Sequence, residues 1–315
     1  MRIPDLIRAV VFVTAVLMVY VLAAEILVKL WKRRKKDDDL PLSARRRWYE
    51  RTVLGLAVLG LVCMAYARFI EPNWLHLTRV EIKSPKIPPG TYPIRVVQIS
   101  DTHCEAQARL EPRLPALVRR QKPDLIFFTG DAANSAEGVP TFRNLIKQLS
   151  PIAPTYLVAG NWDVGVRWSG RLFEGLGATE LNGKAVETMI RGVDIWIAGA
   201  PYDQPQVVNP MLNNIPPGAL TLLLFHSPDL VRSLPPDKVD FYFAGHTHGG
   251  QVALPFFGAL ITFSKFGKEY ESGLSRYGDT LIYVSRGVGM EGGPVPRVRF
   301  CARPEVTSVD FAPVD

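Results

Sequence analysis

The stretch "DFYFAGHTHGGQ", Asp240 to Gln251, decides how this chain is read. A short apolar run ends in a glycine. Two histidines, His246 and His248, then stand two positions apart in a glycine-rich turn. A run of this length and composition reads as a buried strand, and the glycines let the backbone after it turn tightly. The chain has 315 residues and only five histidines, so two in one turn need a reason.

Working outward, four more runs have the same design. "IRVVQIS" leads to Asp101 and His103, "DLIFFTG" to Asp131, "TYLVAG" to Asn161, and "TLLLF" to His226. Helix-like stretches, "EPRLPALVRRQK" and "TFRNLIKQLS", lie between some of them. Strands alternating with helices give an α/β pattern, and ligand sites in such sheets gather at strand ends. Each fragment alone is weak. Gly-Asp after a strand is usually a plain turn, and a lone histidine is usually a satisfied polar residue. Five strand ends that all carry oxygen or imidazole donors are a different matter. Two divalent cations about 3.5–4 Å apart can clamp the attacking and leaving oxygens of a phosphoryl displacement, with one carboxylate bridging them. Mixed imidazole and carboxylate donors suit Mn, Fe or Zn.

The order Asp-x-His, Gly-Asp, Gly-Asn, His, Gly-His-x-His resembles that of the calcineurin-like metallophosphoesterases over residues 77–311. "GHTHGGQ" and "YVSRGVG" resemble the membrane-attached bacterial branch, which includes enzymes cleaving UDP-diacylglucosamine in lipid A synthesis. The resemblance implies a fold of two packed mixed β-sheets flanked by helices, a four-layer sandwich. It implies one metal held by Asp101, His103 and His248 and a second by Asn161, His226 and His246, with Asp131 bridging. Asp131, Asn161 and His226 are carried over as catalytic positions too, with a metal-bound hydroxide as nucleophile. The family's Gly-Asn-His motif is broken, because Trp162 stands where a histidine would help to protonate the leaving group. An indole N–H donates a hydrogen bond but cannot deliver a proton. Trp162 is therefore a candidate substrate contact, and good leaving groups are expected. Asn134 also departs, since many members carry Asp there.

Ahead of this domain, residues 6–31 and 52–70 are almost continuously apolar, and about 20 such residues suffice to span a bilayer. A cleaved signal peptide fits the first poorly, because a basic run follows and no good cleavage site does. A buried core helix is the bland reading of the second. Between them, residues 32–51 hold nine basic and four acidic residues, or +5 of the chain's +7. The positive-inside bias puts this loop in the cytoplasm and the domain outside. The expected organisation is an anchor over 1–76 in the cell membrane, passing twice, and a phosphoesterase domain over 77–315. The rest of the chain is near neutral, so no nucleic-acid partner is expected. A phosphorylated, lipid-linked substrate and the membrane itself are the expected partners. The alternative is a metal- and phosphate-binding pseudoenzyme or regulatory membrane module.

Cys63 lies in the second span, and Cys104 with Cys301 is the one pairing left outside the spans. "GVGMEG", Gly287 to Gly292, matches a dinucleotide-binding pattern, but Pro294 and Pro296 follow where a helix should start. "LPFFGALITFSKF", Leu254 to Phe266, is either core or an apolar lip beside the metals, through Phe256, Phe257, Phe263 or Phe266.

Overall fold

The computed structural model describes residues 2–35, 43–165, 172–292 and 296–314. Two long helices come first, α1 (Ile3–Lys35) and α2 (Ala44–Ala65). Both outrun the apolar stretches. Lysine and arginine are good helix formers and suit a helix C-terminus, so α1 continues through Lys32–Lys35. Ser43 caps α2 by accepting from the Arg46 amide at 3.3 Å. Much of the expected 32–51 loop is thus helical, and its residues 36–42 lie outside the described residues. The helices form an antiparallel hairpin around Ala23, Ile26, Val53 and Ala57. Only 11% of each apolar window is buried, which rules out a core helix; both are long and apolar enough to cross a membrane.

Beyond α2 a π-helical turn (Tyr66–Ile70) and a 3-10 turn (Glu71–Asn73) lead into β1 (His76–Ser84). The remaining strands are β2 (Ile94–Ile99), β3 (Leu125–Phe128), β4 (Thr155–Leu157), β5 (Thr179–Glu180), β6 (Lys184–Ile190), β7 (Val193–Gly199), β8 (Leu220–Leu224), β9 (Phe241–Ala244), β10 (Ala253–Leu254), β11 (Gly258–Ala259), β12 (Gly273–Tyr277), β13 (Thr280–Val284) and β14 (Glu305–Pro313). Two six-stranded sheets result, ordered β1-β14-β2-β3-β4-β5 and β12-β13-β9-β8-β7-β6. β2, β3 and β4 run parallel, as do β7, β8, β9 and β13. Central parallel strands are covered on both faces, which is why β3, β8 and β9 are buried at every position.

The sheets pack face to face through Val96, Phe127, Leu222, Phe243 and Phe311. On the outer face of the first sheet lie α3 (Leu114–Gln121) and α4 (Val139–Leu149). Phe142, Leu145, Ile146 and Leu149 form the buried stripe of α4, at helical spacing. A short helix, α5 (Asn161–Gly165), follows β4, and α6 (Val208–Asn213) covers the second sheet. This is the expected four-layer α/β sandwich.

The hairpin is clamped to the domain. The Arg299 amide donates to the Ala67 carbonyl at 3.0 Å. The Glu71 carboxylate accepts from the amides of Cys301 and Ala302 at 2.9 and 2.6 Å. At the start of α1, Thr262 donates to Asp5 at 3.4 Å. The domain thus sits at the end of the hairpin away from the basic run. The Leu254–Phe266 segment divides. Phe266 packs edge-on to the buried Tyr270, whereas Phe256 and Phe257 are exposed, with Arg8 over the Phe257 ring. Cys63, Cys104 and Cys301 are all free thiols, so the Cys104–Cys301 pairing does not form.

Candidate metal centre

The loops after β2, β3, β4, β8 and β9 converge on one point. Oδ2 of Asp131 lies 3.5 Å from Nε2 of His103 and 3.2 Å from Nε2 of His226. Nε2 of His248 lies 3.1 Å from Nε2 of His103 and 3.4 Å from Oδ1 of Asp101. On the other side, Nε2 of His226 is 3.0 Å from Oδ1 of Asn161 and 3.2 Å from Nδ1 of His246. All seven sequence candidates are therefore in one place, in two groups that share Asp131: Asp101, His103, Asp131 and His248, then Asp131, His226 and His246, with Asn161 beside the second. The fifth histidine, His76, lies apart on β1.

The backbone is bent to achieve this. Asp101, His103, Asp131, His246 and His248 all have positive φ, between 41° and 74°. Such a conformation costs a non-glycine residue about 1–3 kcal/mol and gathers at functional sites. Two glycines make room. A Cβ on Gly160 would fall 2.2 Å from Oδ1 of Asp131, and one on Gly245 would fall 2.1 Å from Oδ2 of Asp101.

Partners behind the rings set which nitrogen faces inward. His226 directs Nδ1 to the Thr129 carbonyl at 2.7 Å, so that Nε2 faces Asp131; this nitrogen is protonated in the metal-free protein and would lose its proton to bind a cation. His103 directs Nδ1 to Oδ1 of Asn134 at 2.8 Å. The Asn134 amide nitrogen donates to the carbonyls of His103 and Met290 and to Glu105, so its oxygen is the atom left for the ring. Asp163, partly buried, accepts from the amides of Gly160, Asp131 and Ala132 at 2.8–2.9 Å and ties two of the site loops together.

Burial pushes the His103 pKa down to about 4; burial and the charge on His226 push that of His246 to about 3. Burial also lowers His248. His226 goes the other way. Burial opposes its charge, but Asp131 and Asp101 outweigh burial and raise its pKa to about 10. Asp131 is held at about 2, because His226, His103 and the Trp162 amide overcome its burial. Burial and the neighbouring Asp131 raise Asp101 to about 7. The field that charges His226 is one that would hold a cation, and three neutral imidazoles offer lone pairs to it. The donor set fits divalent metals.

Some residues at the site carried no sequence signal. The Tyr202 ring lies 5.7 Å from that of His246. Arg299, fully buried, donates to the carbonyls of Ala302, Arg286 and Gly289, with a guanidinium nitrogen 3.4 Å from Nδ1 of His248. The loop of the apparent dinucleotide pattern folds over Asp101 instead, with the Gly289 amide donating to the Asp101 carbonyl at 2.7 Å. Trp162 packs edge-on against His103, with centroids 5.7 Å apart. Beside its indole lies Glu291, whose pKa burial and Asp131 raise to about 7.

A sequence profile of the calcineurin-like phosphoesterase family matches residues 94–250. Metallophosphoesterase YkuE of Bacillus subtilis is 32% identical over 279 residues, spanning 83% of this chain and 96% of its own. The chain belongs to the calcineurin-like phosphoesterase family. It is similar to phosphodiesterase YaeI of Escherichia coli, 28% identical over 285 residues, 85% of this chain and 99% of that one. It is also similar to UDP-2,3-diacylglucosamine pyrophosphatase LpxG of Chlamydia trachomatis, 25% identical over 315 residues, 81% of this chain and 94% of that one. This calcineurin-like phosphoesterase is a metal-dependent hydrolase, and its family uses two divalent ions.

Proposed function

We propose that this chain is a two-pass membrane enzyme, anchored by residues 1–76, whose domain over 77–315 hydrolyses a phosphoester or pyrophosphate bond in a lipid-linked substrate. The position of Asp131 carries the reading: one carboxylate oxygen stands between the two histidine groups, where a bridging ligand belongs. Asp101, His103 and His248 would hold one ion, and Asn161, His226 and His246 the other. Bound divalent ions supply Lewis acidity to the phosphoryl oxygens. Asp131 would be shared by both ions, and Asp163 holds the loop of Asp131 by accepting from its amide. Trp162, packed edge-on against His103, would contact the substrate there. Glu291, beside Trp162, supplies the leaving-group proton that the missing histidine would give.

The pseudoenzyme reading rests on Trp162 alone, and seven complete donor positions oppose it. The substrate follows from the anchor and from the likeness to LpxG, whose name gives UDP-2,3-diacylglucosamine as its substrate. A nucleotide lipid made in the cytoplasm conflicts with a domain held outside by the basic loop, and we favour the outside placement and a lipid of that leaflet. The test is turnover of bis(4-nitrophenyl) phosphate by full-length protein with Mn²⁺. Expected is metal-dependent hydrolysis that Asp131→Asn abolishes. Metal binding without turnover would favour the pseudoenzyme.

A further inference from the structure

The anchor and the domain enclose a space that neither makes alone. A cavity of about 490 Å³ lies in their seam, walled by Val16 and Tyr20 of α1, Cys63 and Met64 of α2, and Val298 and Phe300 of the domain. Among the described residues that line it, Arg68 alone is charged. Arg68 also lines a second cavity, of about 550 Å³, which reaches Thr102 and His103 and holds Arg109 and Arg297 beside Glu105 and Glu111, with Arg297 paired to Glu105. The route between them therefore runs from hydrocarbon-like walls, past a guanidinium, to the metal centre.

We propose that the seam cavity binds one acyl chain of the substrate, with the phosphoryl headgroup over Arg68 and the scissile bond at the His103 side of the centre. This rests on the phosphohydrolase reading above. The order of surfaces matches the order of groups in a phospholipid-like amphiphile: chain, anionic head, reactive phosphorus. Arg68 is exposed, lies 5.5 Å from the Phe69 ring and makes no ion pair among the described residues. Its charge is thus open to a phosphate, the partner that guanidinium geometry suits best. Arg109, by contrast, is engaged by the carbonyls of Pro72 and Val288. The walls of the cavity are set by the Ala67–Arg299 and Glu71–Cys301 bonds, so its shape is built in. Both helices are apolar enough to lie in lipid, so the hydrocarbon next to the cavity is an acyl chain.

The experiment uses full-length protein in detergent micelles with Mn²⁺ and a series of alkyl 4-nitrophenyl phosphates, from ethyl to dodecyl. Every member releases the same nitrophenolate, so only the tail varies. The dodecyl ester should exceed the ethyl ester in kcat/KM by about 10-fold or more, since each buried methylene favours binding. Cys63→Trp and Val16→Trp narrow the cavity from two helices. Each should shrink the dodecyl-to-ethyl ratio by most of that gain. Poor folding lowers both esters alike, and micelle partitioning is common to wild type and variants, so the ratio reads the tail alone. A flat series with the ethyl ester still hydrolysed would overturn the proposal and leave the enzyme reading intact, the cavity then holding only resident membrane lipid. A tail preference that survives both variants would place the chain elsewhere, at the exposed Phe256 and Phe257, and would also overturn it. Failure to hydrolyse any ester would remove the enzyme reading itself.

Discussion

Nδ1 of His103 faces Oδ1 of Asn134 across 2.8 Å, and this contact decides which nitrogen of His103 points at Asp131. Asn134 cannot present its amide nitrogen instead, because that group is held by three oxygens. The ring must then carry its proton on Nδ1, which leaves the Nε2 lone pair facing inward.

Asn134→Ala should therefore weaken metal binding at the His103 group by about 10–100-fold, the usual effect of losing such a supporting partner. Asn134→Asp should keep most of it, since a carboxylate oxygen accepts from the same ring. Titration calorimetry with Mn²⁺ measures both. Unchanged affinity in the alanine variant would mean that the contact does not orient a ligand.

Metal uptake should release protons. A ligating imidazole must be neutral, yet His226, with a pKa near 10, is charged at neutral pH in the metal-free protein. Binding there displaces one proton, so affinity should rise about tenfold per pH unit above pH 7. Below the Asp101 value of about 7 a second proton must leave, and the dependence should steepen. Calorimetry in buffers of different ionisation heat counts these protons. An affinity independent of pH would remove His226 from the ligand set.

Glu291→Gln should harm alkyl esters far more than aryl esters. General acid help is worth about 10²–10⁴-fold and matters most for a poor leaving group. A carboxyl whose pKa is raised to about 7 donates below that pH and loses the ability as pH rises through it. Bound cations lower the value, so wild-type activity on alkyl esters should decline from pH 7 or somewhat below. That limb should vanish in the variant. Trp162→His should restore alkyl activity to it. Equal losses on both ester types would mean that Glu291 positions Trp162 or substrate and donates no proton.

Asp163→Ala should lower stability by about 3 kcal/mol or more, because it strands three amides that now donate to a carboxylate. Chemical denaturation of the metal-free protein reads this. Metal content should fall with it, through the displaced Asp131.

A reporter fused after the last residue should be active only outside the cytoplasm, since the nine basic residues of 32–51 gather at the end of the hairpin away from the domain. Cytoplasmic activity would reverse the topology and admit a nucleotide lipid as substrate.

Strand ends were readable because buried parallel strands leave long apolar runs, and the donor residues directly follow them. Asp131 and His246 announce themselves in this way. Asn134 was visible only as an oddity, since its role depends on which of its two side-chain atoms is free. Glu291 sits in a loop of Gly and Pro with no periodic signal, and only the tertiary fold brings it beside Trp162. Hydropathy marks only the lipid-compatible part of each helix, whereas Lys32–Lys35 and Ala44–Arg51 are helical for local reasons. The seam cavity had no signal at all, being made from four segments far apart in the chain.

The clamp between Glu71 and the amides of Cys301 and Ala302 has a kinetic meaning. A catalytic head on a loose tether sweeps a volume and meets whatever is dissolved there. This head, once its helices are in a bilayer, is kept at a single height and moves only as the lipids move. Its encounters are then two-dimensional. Turnover should follow the mole fraction of substrate in the surface, and diluting the membrane with inert lipid should slow it even when the total amount of substrate per litre is unchanged.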